Sequence, residues 1–288
     1  MAVYKRSYKA YTGALTARWT RMLVLPRFAW RGLFKQRLMM ILFVICFFYP
    51  AGCALTIYIN SNTAFLSQYV PVPKGGFLNI GNQFFFIFTS VQCTLGFLLT
   101  AFAGPGLVSP DLVNNALPLY FCRPLARWEY VAGKMLVILG LLSYITWIPG
   151  LLLFGLQSSL AGGAWFRENY WIAGSILGSS LLWMLLIAVL SLALSAWVRW
   201  KILAGGLMLV VMFLGAGISE TIRTVVRTDA GGWFDPLGNI ARVWMYLFDI
   251  RAEHAFSTEE SAAALAVFAG LCVYLLARKI RAYEVVRG

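Results

Sequence analysis

Charge is missing from five long apolar stretches of the chain: 38–59, 80–103, 135–160, 171–198 and 202–219. Each is as long as the roughly 17–25 residues an α-helix needs to cross about 30 Å of hydrocarbon. A sixth stretch, 262–277, is shorter and rich in alanine, yet Leu265, Val267, Phe268, Leu271, Val273, Leu275 and Leu276 keep it strongly apolar. The runs are continuous rather than alternating, which favours helices over a barrel, because in lipid each segment must satisfy its own backbone. The pattern predicts an all-α integral membrane protein with six transmembrane helices in one membrane domain spanning 1–288.

Two shorter patterns are added to the six. Before the first span, Leu23, Leu25, Phe28, Trp30, Leu33 and Phe34 interleave with Arg21, Arg27, Arg31, Lys35 and Arg37 within segment 1–37. That spacing suits an amphipathic helix lying in the headgroup region, although basic flanks alone produce the same pattern. In the 220–261 loop, apolar residues at 237, 240, 244, 247 and 248 follow helical spacing but are too few and too mixed with charge to cross. A short outer interfacial or re-entrant helix before the last span is expected.

The charges orient these helices. Residues 1–37, 104–134, 199–201 and 278–288 carry 18 of the 24 lysines and arginines but only 3 of the 11 acidic residues. The positive-inside rule puts those segments, and both termini, in the cytoplasm. The net charge of +13 is thus read as facing the cytoplasm and anionic lipid, with no nucleic-acid partner. The composition, 60% apolar and 12% charged, excludes an ordinary soluble domain, which runs at about 45–50% and about 25%. The first apolar run is too long for a signal peptide and lacks its cleavage site, so none is expected. The five cysteines stand singly and His254 is the one histidine, which argues against a zinc site or a disulfide framework.

Segment 104–134 is the most distinctive. Its glycines and prolines are expected to end the second span, and Asp111 follows Pro110 where a carboxylate can cap a short helix near its start. Arg123-Pro124 then breaks the chain, and residues 127–134 restart it as the third span. The stretch contains Arg123, Pro124, Arg127, Tyr130, Gly133 and Lys134 in the spacing R-P-x-x-R-x-x-Y-x-x-G-K. With that motif the elbow resembles the first cytoplasmic loop of ABC-2 type transporter permeases, whose amphipathic N-terminal helix, six spans and outer helical element also match the pattern above. Upstream, many members have E-R-x-x-G-T where this chain has Ser109 to Ala116.

The resemblance implies a permease subunit of an ATP-driven ABC transporter in the inner membrane of a prokaryote. It implies two separate ABC ATPase subunits as partners, and a second permease copy or paralogue beside this chain. Asp111, Arg123, Pro124, Arg127, Glu129, Tyr130, Gly133 and Lys134 would then couple ATP hydrolysis to the spans. No cofactor is expected on this chain itself. ATP and magnesium would sit on the partner ATPase, since no G-x-x-x-x-G-K-[ST] occurs here. No constellation for covalent or acid–base catalysis appears, so the chain is not expected to be an enzyme; Ser191-x-x-x-Ser195 and Gly174-x-x-x-Gly178 read as small-residue packing positions. None of the five clear spans has an interior charged residue, which favours export of an apolar or amphiphilic substrate over an ion. Phe85, Thr89, Gln92, Gly96 and Thr100 form one stripe on the second span, and Gly205, Met208, Met212 and Gly215 form another on the fifth. The two stripes are candidates for the transport path, and helix packing explains them equally. A non-transporting accessory or lipid-handling membrane subunit is the competing reading.

Overall fold

A computed structural model of the chain describes residues 18–62, 79–114, 116, 126–198, 200–250 and 256–282. No strand occurs among them. The helices are α1 (Arg18–Phe34), α2 (Arg37–Ser61), α3 (Asn82–Ala103), α4 (Pro105–Val113), α5 (Arg127–Ile145), α6 (Trp147–Ala161), α7 (Gly163–Trp197) and α8 (Lys201–Val225). A 3-10 turn (Asp229–Phe234), α9 (Pro236–Leu247) and α10 (Thr258–Ala282) complete the order. Six helical segments are long and apolar enough to cross a membrane: Arg37–Ser61, Asn82–Val113, Arg127–Ala161, Gly163–Trp197, Ile202–Val225 and Thr258–Ile280. The chain is a multi-pass membrane protein by this architecture.

These spans begin earlier or run further than the apolar runs that predict them. The third gains most, by starting at Arg127, and in the sixth Thr258 to Ser261 and Arg278 to Ile280 continue the helix beyond the apolar 262–277. Helices continue into the polar boundary wherever propensity allows, so hydropathy marks the buried middle of a span and misses its ends.

Two spans are broken within themselves. Pro149 has no amide hydrogen to give Ile145, and the backbone turns aside at Thr146 to separate α5 from α6. At Gly104 the chain keeps helical angles, φ −64° and ψ −46°, so the glycine and Pro105 do not end the second span as expected; α4 continues it. Proline is tolerated here because it stands in the first turn of the new helix.

The hub is α7. In its most apolar stretch 67% of the residues are buried inside the protein, against 22% for α2 and α8, which leave broad apolar faces outward. The Trp183 ring on α7 lies 6.0 Å from that of Phe97 on α3 and 5.9 Å from that of Trp244 on α9. Its indole N–H donates to the Cys93 carbonyl at 3.2 Å. The Trp244 indole donates to the Ser179 carbonyl near the midpoint of α7, while Ser175 donates to the Leu247 carbonyl. So α9 packs along the bundle interior, with Ile240 and Phe248 fully enclosed. It ends in a Schellman turn: Ile250 donates to Met245 and Asp249 to Tyr246, with Asp249 left-handed at φ 49°.

The amphipathic segment forms α1, as its spacing predicts. The Trp30 ring lies over Gly140 of α5, where any side chain would collide, and its indole N–H donates to the Val137 carbonyl at 3.1 Å. Arg27 and Arg31 stay exposed.

Candidate functional site

The elbow is built on α4, a helix of nine residues. Pro105 opens it, and the amides behind need acceptors. Ser195 of α7 supplies one: its hydroxyl accepts from Val108 at 3.2 Å and Ser109 at 3.0 Å, and donates to the Pro105 carbonyl at 2.8 Å. One turn away, Ser191 lies against Gly104 so closely that a Cβ there would overlap its hydroxyl. The Ser191-x-x-x-Ser195 pair is therefore a seat for α4, the packing role its spacing suggests. Ser195→Ala removes this acceptor from the Val108 and Ser109 amides and is expected to cost about 1–3 kcal/mol, read as a lower unfolding midpoint in detergent.

Asp111 does not cap the start of α4, contrary to the expectation above. It stands in the last turn, where the free backbone groups are carbonyls and a carboxylate has nothing to accept from. Its partners come from α5 instead. Tyr130 donates its phenolic O–H to Asp111 Oδ2 at 2.7 Å, and Lys134 Nζ pairs with the same oxygen at 2.8 Å. Lys134 also donates to the Leu107 carbonyl at 2.6 Å and lies 5.5 Å from the centre of the Tyr130 ring. Tyr130 is fully buried, and Lys134 is 8% exposed. Tyr130 and Lys134 are four residues apart on α5, hence on one face, and both close on one carboxylate of α4. Glu129 turns the other way and caps α5, accepting from the Ala126 amide at 2.9 Å. Gly133 is buried in the same turn, and Arg127 is half-buried at the first position of α5. Arg123 and Pro124 lie outside the described residues.

Thus three of the eight expected coupling residues, Asp111, Tyr130 and Lys134, form a bonded unit joining the second span to the third, while Glu129 caps the helix that carries two of them. Charge-assisted hydrogen bonds away from water resist bending, so the unit can transmit a push as a strut. Sequence reasoning did not assign a capping role to Ser195, whose signal was its small-residue spacing to Ser191, nor find the seat of Trp30 on Gly140.

The two stripes lie on separate seams. Phe85 meets Phe154 of α6 at 6.0 Å between rings, Gln92 donates to the Cys46 carbonyl of α2 at 2.8 Å, and Gly96 faces Leu142 and Thr146. Thr100 bonds its own helix at Gly96, and the Thr89 hydroxyl and the second polar atom of Gln92 are buried without a protein partner. On α8, Gly205 meets the Ala101 carbonyl of α3, Gly215 meets the Phe234 carbonyl and Pro236, and Met208 and Met212 are fully buried between. In this conformation the first stripe is covered by α2, α5 and α6, so Gly96→Trp drives an indole into Leu142. Disrupted folding, seen as aggregation on size exclusion, is the expected outcome.

Among the described residues no cluster of three or more His, Cys, Asp or Glu side chains is placed to hold a metal ion. No family model matches the chain, and no curated protein matches it either.

Proposed function

We propose that this chain is the permease subunit of an ATP-driven transporter of the ABC-2 type, exporting an apolar or amphiphilic molecule and driven by two separate ATPase subunits. The observation that carries this reading is the convergence of Tyr130 and Lys134, two residues of the elbow motif, on Asp111. A motif that anchored lipid alone would have no need to bury a cation, a phenol and a carboxylate in one unit between two spans. A coupling element does, because a shift imposed at the membrane surface must reach the spans without being absorbed. In this reading the basic end of the bundle is cytoplasmic, with both termini there, in a prokaryotic inner membrane. The 3-10 turn and α9 form a re-entrant pair closing the bundle from outside, and the outward faces of α2 and α8 receive a second permease copy or paralogue.

Topology has its own test. In a variant lacking native cysteines, Thr228→Cys is expected to react with a membrane-impermeant thiol reagent on intact cells, and Lys35→Cys only after permeabilisation. The reverse pattern inverts the orientation and removes the elbow from the ATPase side. Coupling is tested with Arg123→Glu plus Arg127→Glu: insertion is expected to persist while the ATPase subunits dissociate or hydrolyse ATP without responding to substrate. Wild-type stimulation in the double variant contradicts the proposal.

A further inference from the structure

A cleft of about 560 Å³ runs between the beginning of α5 and the end of α10. Val131 and Met135 on one wall and Leu276 and Ile280 on the other make it apolar, and among the described residues Arg127 is the charged one lining it. From Arg127 to Met135 is eight residues of helix, so the apolar walls extend about 12 Å into the bundle from the basic end. The level of the headgroups at that end is marked independently. Trp128 on α5, Trp197 at the end of α7 and Trp200 just before α8 are exposed there, as tryptophans at a membrane boundary are, and the ammonium of Lys279 lies 5.1 Å from the centre of the Trp197 ring. Arg127 therefore stands at phosphate depth with an acyl-sized apolar slot directly beneath it.

We propose that this cleft is a binding site for one anionic phospholipid, its acyl chain between α5 and α10 and its phosphate on the Arg127 guanidinium. Charge complementarity selects this occupant. Arg127 is the basic residue in the described lining, Arg278 and Lys279 lie in the same turn of α10 as the lining residues Ala277 and Ile280, and the nearest carboxylate along α5, Glu129, is committed to the Ala126 amide. A guanidinium has five donors and can take a phosphate in a bidentate grip while keeping another bond. Apart from Arg127 and the Trp128 indole the described lining is apolar, and an apolar slot beside a cation matches an amphiphile with a negative head. Because Arg127 begins the helix that carries Tyr130 and Lys134, the bound lipid would touch the elbow directly. The inference rests on the membrane architecture and stands whether or not the chain belongs to a transporter.

Native mass spectrometry of the full chain in detergent, titrated with phosphatidylglycerol or phosphatidylcholine of identical acyl chains, tests it. The first phosphatidylglycerol is expected to bind about fivefold more tightly, the ratio one basic side chain near anionic lipid supplies. Arg127→Gln should reduce that to the phosphatidylcholine level, while Arg31→Gln on α1 should leave it intact. Ala277→Trp, which fills the cleft, should remove the tight site for both lipids. Equal affinity for the two lipids in the wild type, or an undiminished preference in Arg127→Gln, overturns the proposal. Loss of ATPase partners with the lipid preference retained contradicts the transporter reading and leaves this one standing.

Discussion

Asp111→Ala is expected to cost about 3–5 kcal/mol of stability and to abolish coupling, because it strands the Lys134 ammonium in a nearly dry site. Lys134 keeps its bond to the Leu107 carbonyl, which does not neutralise a charge, and Tyr130 loses its acceptor. The double variant Asp111→Leu with Lys134→Met separates the two consequences. Apolar residues of similar size often replace a buried pair at no net cost, so folding should return to near the wild-type midpoint. Coupling should not return, since the charge-assisted link between α4 and α5 is gone. Thermal unfolding in detergent reads the first effect, and substrate-stimulated ATP hydrolysis by the reconstituted complex reads the second. A double variant that regains both reduces the elbow to a packing element.

Adjacent glycines on α8 should respond in opposite ways to the same substitution. A side chain at Gly205 meets the Ala101 carbonyl, a backbone atom that cannot move without displacing α3, whereas one at Gly206 meets nothing. Gly205→Leu is therefore expected to lose about 3 kcal/mol or more, at the upper end of overpacking costs, and to yield little folded protein. Gly206→Leu should be near neutral, with a gain in helix propensity of up to about 1 kcal/mol. Yield and monodispersity on size exclusion compare the two. Equal tolerance of both would mean that α8 does not lie against α3 as described.

The six spans were legible because each is a run of apolar residues long enough to exclude other structures. Their ends were not, since Thr258 to Ser261 and the basic residues after Ala277 are polar yet helical. The break at Pro149 sits inside an apolar run and leaves no trace in hydropathy. The break and restart of the chain at the elbow were legible, and its geometry was partly misread. Arg127 to Lys134 restart the helix as expected, but Asp111 was assigned to a helix start because proline and a following acid are a local signal. Its actual partners lie 19 and 23 positions along the chain, where the side chains are brought together only by the packing of α4 on α5. Both stripes were legible as helical faces of small and polar residues. Sequence periodicity identifies such a face without saying what covers it, and here α2, α5 and α6 cover one and α3, α4 and α9 border the other.

The central claim is that the elbow receives an ATPase subunit. A photoactivatable amino acid at Trp128, which is exposed at the start of α5, and another at Thr228, at the opposite end, test it in intact cells. Irradiation is expected to link the Trp128 position to a protein whose peptides contain the G-x-x-x-x-G-K-[ST] nucleotide-binding loop, with no such product from Thr228. A folded, membrane-inserted chain that yields no nucleotide-binding partner at Trp128, or yields the same one at Thr228, contradicts the account.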